Sequence, residues 1–501
     1  MKRFAVISAS CLLGLVILVP VCWLLVSASQ AESGHALVTG RSLSLLKNSL
    51  AIAGGTTAVS LIIGMILGWM LGRLAIPCRN LLLAILVLSL LTPSYLLATA
   101  WQNWFDATGL WACIGVLASV YAPLPVLVIA WVAGRIPADA EDAASLHGRS
   151  QLWRIRFHFL AVPIAMCGML VFLFSVGNFA VPSLLQVQSY PVEVFAQFSA
   201  FGNPQGAAFV ALPLLLIAII LFALERLVLH RHHRAGMKME GNMQRADAGI
   251  PGVPWLWTVL LGAFTLTWAF SPLVWFIQSA GGWGNYKLAF ETAGGDLWTS
   301  IWLSAATATV AVALVLPISW LLARTESRWR WLGDSLCWLP LMIPPSVVGV
   351  AMIVFWNRPG LFSLVYGTAA ILGMTYLARF ITFVFKPVQV AFSQITRDQE
   401  EASAMCGMGW MRMMQRILIP QVRGGLLIGW LLMFVFCLGE LGASILVTPP
   451  GTNTFPVRIS QLMHYGWNEL VAALCVLLMG LVGLCGLALV GMHRLGKVRW
   501  S

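Results

Sequence analysis

Residues 46–73 read LKNSLAIAGGTTAVSLIIGMILGWMLGR, and residues 297–324 read LWTSIWLSAATATVAVALVLPISWLLAR. Each stretch contains an apolar run of about twenty residues, the length of an α-helix that crosses a hydrocarbon core roughly 30 Å thick. The two stretches align without a gap, with a Ser near the start (Ser49 and Ser300) and Trp-x-Leu-x-Arg at the end. A spanning helix that occurs twice predicts a membrane protein built as an internal repeat.

The composition excludes a soluble domain, because 59% of the 501 residues are hydrophobic and only 10% are charged. Runs of this length in lipid must satisfy their own backbone polar groups, which requires helices. The predicted fold class is therefore an all-α polytopic membrane protein with about twelve transmembrane helices. Spans are predicted near residues 5–27, 46–72, 81–104, 110–133, 163–185, 205–228, 254–278, 297–323, 332–356, 362–386, 424–447 and 468–492.

The positive charges indicate the orientation. With both termini in the cytoplasm, the external segments hold only five of the 30 Lys and Arg residues, namely Arg41, Lys47, Lys287, Arg358 and Arg458. The net charge of +12 then orients the chain in the bilayer and attracts anionic lipid headgroups. We expect no nucleic-acid partner, because the positive charges are dispersed along the chain. The first span could be a cleaved signal peptide, but its apolar stretch is long and favours a retained helix.

The repeat divides the chain into three parts. Residues 1–228 form a first half with six spans, residues 229–253 a polar cytoplasmic linker, and residues 254–501 a second half with six spans. Pro93-Ser94 in span three corresponds to Pro345-Ser346 in span nine. Because each half has an even number of spans, the halves are parallel repeats related by a pseudo-twofold axis along the membrane normal.

Two cytoplasmic loops, 134–163 and 387–420, share a pattern. Residues 136–148 read IPADAEDAASLHG and residues 395–407 read ITRDQEEASAMCG, and each is followed by a Trp and, ten residues later, a Pro. Acidic residues suit the start of a helix, small residues permit close approach, and Gly suits the turn that ends a helix. A single such loop would fit an ordinary solvated loop, but two at equivalent places predict short amphipathic helices.

The second loop resembles the hallmark loop of type I binding-protein-dependent ABC importer permeases, Glu-Ala-Ala, three residues, Gly, nine residues, Ile-x-Leu-Pro. The first loop resembles it less closely, because Asp142 replaces Glu and Pro163 comes two residues late. The resemblance extends over nearly the whole chain. The residues that it assigns to ATPase coupling are Glu141, Asp142, Ala143, Ala144, Gly148, Pro163, Glu400, Glu401, Ala402, Ser403, Gly407 and Pro420.

The resemblance implies partners and a mechanism. Each loop is expected to form a coupling helix that contacts one of two copies of a cytoplasmic ATP-binding-cassette ATPase. The permease is expected to lie in the bacterial inner membrane, where an extracytoplasmic binding protein delivers the solute to it. ATP and Mg are handled by the ATPase, so this chain is expected to bind no cofactor and to be no enzyme. Residues 491–498 match most of the phosphate-binding loop pattern by chance, since they lack its Ser or Thr and follow a span instead of a strand. Neither catalytic residues nor a metal site are predicted.

Ionisable residues inside a membrane are candidates for function. Glu440 lies well inside span eleven, and Asn178 occupies the equivalent place in span five. We expect these two side chains to face each other across the pseudo-axis and to line the translocation pathway, together with Ser175 and Ser444. The alternative is that Glu440 is a protonated or hydrogen-bonded structural contact between helices.

The expected cargo is ferric iron. With two permease halves in one chain, this sequence resembles the type I permeases for ferric iron and thiamine. Within it, the ferric-iron group is resembled by residues 91–101, 449–454 and 463–466. Thiamine, a polyamine or another small solute stays open. A twelve-helix secondary transporter is a rival, although the loop from Arg73 to Arg79 lacks the acid of a coupling motif. A membrane-embedded enzyme would need converging His, Asp or Cys groups within the spans, which we do not find in the sequence.

Overall fold

The structure is a computed structural model, and it describes residues 2–30, 40–74, 76, 78–234, 262, 270–325, 329–466 and 468–498. Most of the predicted linker 229–253 and of the predicted seventh span near 254–278 lies outside these residues. Every regular element in the described ranges is helical, which confirms the predicted all-α fold class.

The helices are numbered in chain order. The first twelve are α1 (Lys2–Leu13), α2 (Val19–Ser29), α3 (Gly40–Arg73), α4 (Arg79–Leu91), α5 (Ser94–Phe105), α6 (Gly109–Tyr121), α7 (Pro123–Ala133), α8 (Ala138–Ser145), α9 (Arg149–Val176), α10 (Ala180–Leu184), α11 (Tyr190–Ser199) and α12 (Pro204–Arg234). The others are α13 (270–280), α14 (Trp283–Arg324), α15 (Trp329–Met342), α16 (Pro345–Trp356), α17 (Ser363–Tyr366), α18 (Ala370–Ser393), α19 (Arg397–Met405), α20 (Trp410–Met413), α21 (Ile419–Leu438), α22 (Ser444–Val447), α23 (Phe455–Met463) and α24 (Glu469–Val498).

Two helices are continuous through short π-helical segments: α1 continues through Gly14–Leu18 into α2, and α20 continues through Met414–Leu418 into α21. Counted in this way, eight of the described helices are long and apolar enough to cross a membrane, and the number rises to eleven if each of three bent helix pairs counts as one span. These eleven correspond to the predicted spans other than the seventh. The bends measure 89° between α4 and α5, 41° between α6 and α7, and 107° within the pair formed by α15 and α16.

Proline causes the two sharp bends. Pro93 and Pro344 cap α5 and α16 in an extended conformation, with ψ of 131° and 147°. A proline lacks the N–H that continues a helix and moves the residue before it out of the helical region. The aligned Pro-Ser pairs therefore mark the break in both halves, although Pro93 precedes α5 whereas Pro345 is the first residue of α16.

The predicted boundaries of the fifth and eleventh spans are wrong. We expected spans near 163–185 and 424–447, but α9 begins at Arg149 and ends at Val176, and α21 ends at Leu438. The basic stretch before Pro163 is helical and continuous with the span, so the predicted loop 134–163 ends as a helix. Both helices stop at a glycine, Gly177 or Gly439.

The chain forms two compact units. One comprises residues 37–192 and 213–278 and therefore contains most of the first half. Its centre is the packing of α3 along α7, where Gly64, Gly68 and Gly72 face α7. A Cβ atom at Gly68 would lie 2.9 Å from the carbonyl oxygen of Val126, so the small residue is what permits this approach.

The second unit comprises residues 1–36, 193–212 and 279–501. Its centre is α18, which packs on α14 and α21. Here the close approach uses Gly425 and Gly429 of α21, where a Cβ atom would lie 2.7 Å from the carbonyl oxygen of Pro387 and 3.0 Å from the Cα of Val384. The two halves thus reach tight packing through glycines on different helices.

The first helix of the chain belongs to the second unit. Its segment α2 packs on α16, and the guanidinium of Arg358 lies 3.6 Å from the ring centre of Trp23. A cation over an indole face is attracted by the negative charge of the ring face. The internal repeat could not predict this placement, because it matches each helix only with its counterpart in the other half and does not say which helices pack together.

Candidate functional site at the coupling helices and at the breaks in the fifth spans

The two amphipathic helices form where the loops predicted them, as α8 and α19. We name them the first and second coupling helix after the role that the family resemblance leads us to expect. Pro137 and Thr396 precede them in extended conformations, and acidic residues occupy both first turns. The helices end shortly before Gly148 and Gly407, whose φ values of +99° and +71° suit glycine. Each helix is therefore bounded by residues that the sequence pattern contains.

The first coupling helix is held by a cluster of charged and aromatic side chains, which we name the first clamp: Trp69, Arg73, Glu141, Trp153 and Arg156. The carboxylate of Glu141 pairs with the guanidinium of Arg73 and accepts a hydrogen bond from Arg156 Nε at 2.7 Å. Arg156 also lies 5.1 Å from the ring centre of Trp69 and 5.4 Å from that of Trp153. The side chains of Arg73 and Glu141 are each 10% exposed.

The second coupling helix is held by the second clamp, which comprises Trp320, Arg324, Glu400 and Trp410. Arg324 Nε donates to Glu400 Oε1 at 2.7 Å, and the indole N–H of Trp320 lies 3.2 Å from both carboxylate oxygens. Trp320 packs edge-to-face on Trp410, with ring centres 5.6 Å apart. Arg324 also donates to the carbonyl oxygen of Ile395 just before α19, at 3.0 Å.

The opposite face of each coupling helix is exposed in the part of the chain that the structure describes. Asp142 and Ala143 of α8 are exposed, and so are Glu401 and Ala402 of α19, whereas Ala144 and Ser403 are buried. Leu146 and Met405, which occupy equivalent positions, are 85% and 90% exposed. Each helix thus presents an acidic surface and one large apolar side chain at its end.

The connections from the coupling helices to the fifth spans differ. Pro163 lies inside the continuous helix α9, whereas Pro420 follows a five-residue π-helical segment, Met414–Leu418. Because the spacing from Trp to Pro is ten residues in both halves, the two extra residues of the first half lie between Gly148 and Trp153, and α9 begins within that interval. The inserted residues therefore extend a helix instead of enlarging a loop.

Asn178 lies at the break between α9 and α10. Its side-chain oxygen accepts a hydrogen bond from the Val181 N–H at 3.0 Å, and its Nδ2 lies 3.0 Å from Ser94 Oγ and 3.3 Å from the Tyr121 hydroxyl. The break in span five therefore contacts the break in span three. Ser175 is buried one turn earlier.

Glu440 lies at the equivalent break between α21 and α22. Its Oε1 accepts a hydrogen bond from the Ala443 N–H at 2.7 Å, three residues later in the chain, just as Asn178 accepts one from Val181. Its Oε2 pairs with Arg379 of α18. The carboxylate is 6% exposed. Ser444 Oγ lies 3.4 Å from the Tyr376 hydroxyl. Asn178 and Glu440 belong to different compact units, so their predicted meeting across the axis stays a prediction.

Comparison with known proteins decides the family. The family model described as the inner membrane component of binding-protein-dependent transport systems matches residues 315–494. A probable molybdenum ABC transporter permease of Haloferax volcanii is 31% identical over 200 residues, which are 38% of this chain and 71% of that protein. The chain belongs to the binding-protein-dependent ABC importer permeases.

Two further relatives show how far the similarity to this permease extends. The sulfate transport system permease CysW of Escherichia coli K12 is 27% identical over 245 residues, 45% of this permease and 82% of that protein. The Fe(3+)-transport system permease of Haemophilus influenzae is 19% identical over 474 residues, 89% of this permease and 90% of that protein. Membership of this family of inner membrane proteins decides against the secondary transporter and the membrane-embedded enzyme.

The sequence did not identify several residues of these sites in the permease. Glu141 and Glu400 were assigned to the coupling loops, but their partners Arg73 and Arg324 were noted only as the inner ends of the repeated spans. Their signal was the Trp-x-Leu-x-Arg repeated in both halves. Arg379 was missed, although it lies inside the predicted span 362–386, where an ionisable residue is itself a candidate for function.

Proposed function

We propose that this permease forms the translocation pathway for ferric iron delivered by an extracytoplasmic binding protein. The observation that carries the proposal is the extent of similarity. The ferric-iron permease of Haemophilus influenzae aligns over 89% of this chain, through both halves, whereas the sulfate permease described above aligns over 45%. A relative that aligns over both halves of this permease is the better guide to cargo.

The motor in this proposal is a separate cytoplasmic ATPase present in two copies, which binds ATP and Mg. One copy docks on α8 and the other on α19. Two short helices of 8 and 9 residues, each with three acidic residues and with the exposed Leu146 or Met405 at its end, support this arrangement because docking needs a desolvated apolar contact with a polar rim. With the coupling helices in the cytoplasm, both termini are cytoplasmic as well, in accord with the distribution of positive charge.

The pathway in this proposal is lined at the breaks in the fifth spans by Ser175, Asn178, Glu440 and Ser444. Interrupted helices near the middle of a membrane place polar groups where a solute crosses. Two such breaks, each closed by a side chain that caps the next short helix, support the assignment. The pairing of Glu440 with Arg379 removes its net charge, so a cation is not held by an isolated carboxylate.

A second candidate cargo is an oxyanion such as molybdate, which the 31% identity to the molybdenum permease favours. Uptake distinguishes the two. The permease is reconstituted in proteoliposomes with its co-purifying ATPase and binding protein, and accumulation of ⁵⁵Fe³⁺ citrate and of ⁹⁹Mo molybdate is measured with ATP. Iron uptake without molybdate uptake supports the proposal, and molybdate uptake alone replaces it.

A variant of the coupling turn tests docking. In Gly407→Arg a bulky cation stands at the end of α19, and we expect recovery of the ATPase by co-purification to fall at least about tenfold. Gly360→Arg is the matched control, because Gly360 also has a positive φ, of +86°, and open space around it. Equal ATPase recovery in both variants and in wild type would exclude docking at α19.

A further inference from the structure

The two clamps are built from equivalent residues. Glu141 and Glu400 are each the fourth residue of their coupling helix, and each pairs with an arginine that lies one turn after a tryptophan in the aligned spans. The corresponding pairs are Trp69 and Trp320, Arg73 and Arg324, Glu141 and Glu400, and Trp153 and Trp410. In each half, one carboxylate therefore joins the coupling helix to span two, while the tryptophan pair joins span two to the helix of span five.

The paired charges of the clamps hold the two coupling helices in position. The charged side chains are between 10% and 18% exposed, and a charge that is buried to this degree is stable only with its partner. The coupling helices have 8 and 9 residues, too few to be stable alone. The position of each short helix on the body of the permease therefore depends on its glutamate.

We propose that Glu141 and Glu400 are positioning residues that carry movement of the coupling helices into span two of each half. The proposal rests on the proposed function, since it assigns a route for the work that the docked ATPase performs. A coupling helix fixed only through its own chain ends could tilt without moving a span. A coupling helix fixed to Arg73 or Arg324 moves α3 or α14 with it.

The two joints differ in one position. The first clamp has a second arginine, Arg156, where the second half has Met413 at the same distance after the aligned tryptophan. Loss of Glu141 leaves two buried cations close together, whereas loss of Glu400 leaves one. Glu141→Gln is therefore expected to increase amide exchange in its coupling helix more than Glu400→Gln does. Arg156→Met gives the first clamp the composition of the second, and it is expected to reduce that difference.

Hydrogen–deuterium exchange of the purified permease tests the joint directly. In Glu400→Gln, amide exchange in residues 397–405 is expected to rise at least about tenfold while residues 138–145 stay as in wild type, because a charge-assisted bond contributes at least that factor to the closed state. Glu141→Gln is expected to give the reverse pattern. Glu291→Gln, an exposed carboxylate in α14, serves as the surface control.

Transport per ATP tests whether the joint carries movement. In proteoliposomes with the co-purified ATPase, ⁵⁵Fe³⁺ accumulated per ATP hydrolysed is expected to fall at least about fivefold in Glu400→Gln, while Glu291→Gln keeps the wild-type ratio. A purely structural contact would lower yield and leave this ratio unchanged.

Two outcomes overturn the proposal: unchanged exchange in both coupling helices of the glutamine variants, or increased exchange with the wild-type ratio of uptake to ATP. A wild-type chain that recovers no ATPase or accumulates no iron counts against the proposed function instead. In that case the exchange pattern of the isolated permease still decides whether the glutamates hold the coupling helices.

Discussion

The hydroxyl of Ser300 accepts a hydrogen bond from the backbone N–H of Phe455 at 2.7 Å, and both residues are buried. Phe455 is the first residue of α23, so its N–H has no acceptor within its own helix. Ser49 makes the equivalent bond with Tyr190, the first residue of α11, at 2.9 Å. In each half a serine of span two therefore caps the short helix that precedes the last span.

Replacing Ser300 by Ala is expected to destabilise the permease by about 1–3 kcal/mol, because the buried N–H of Phe455 loses its partner. Thermal unfolding of the purified protein in detergent measures the change. Ser304→Ala is the control: Ser304 is buried one turn along the same helix, and its hydroxyl has no hydrogen-bond partner in the part of the chain that the structure describes. Equal loss of stability in both variants would contradict the capping role.

The serines show what the sequence can and cannot predict. Alignment of the two repeats identified Ser49 and Ser300 as corresponding positions, because identical residues in a diverged repeat stand out. It did not identify their partners, since a backbone N–H has no residue type, and Phe455 lies 155 residues after Ser300. Periodicity and length likewise predicted the spans, whereas the breaks at Gly177 and Gly439 inside apolar stretches gave no signal in hydropathy.

The candidate site follows the same rule. The coupling helices were predicted because their acids, small residues and glycines are local and occur twice. The side-chain partners of Glu440 and Asn178 come from other spans: Arg379 pairs with Glu440, whereas the neutral Ser94 and Tyr121 contact Asn178. A comparison of the halves could not find partners that differ between them.

Gly68→Ala is expected to destabilise the packing of α3 on α7 by about 1–3 kcal/mol, because the added methyl group meets the Val126 carbonyl oxygen and the Ile129 side chain at 2.9 Å. The helices must then move apart. Gly54→Ala lies on the same helix with nothing within 4 Å of the new atom. It is expected to be neutral or slightly stabilising, since alanine favours a helix over glycine. Thermal unfolding of both variants in detergent compares them, and similar midpoints would argue against close packing at Gly68.

Glu440→Gln is expected to lower stability by about 3–5 kcal/mol, because it leaves the Arg379 cation buried without its carboxylate. Adding Arg379→Gln is expected to recover much of the loss, since two neutral groups replace the ion pair. The measurement is a double-mutant cycle of unfolding free energies. A coupling energy near zero would show that the two residues do not depend on each other. Transport by the double variant then reports on the pathway separately from folding.

Gly148→Ala is expected to impair docking more than Gly407→Ala does. Gly148 has φ of +99° and ψ of 167°, a region that is essentially restricted to glycine, whereas the φ of +71° at Gly407 is close to the left-handed helical region, which alanine enters at a cost of about 1–2 kcal/mol. No atom lies within 4 Å of a Cβ at either position, so backbone strain alone separates the two variants. ATPase recovery on co-purification measures the effect, and the opposite order would mean that the turn after α8 does not set the position of that helix.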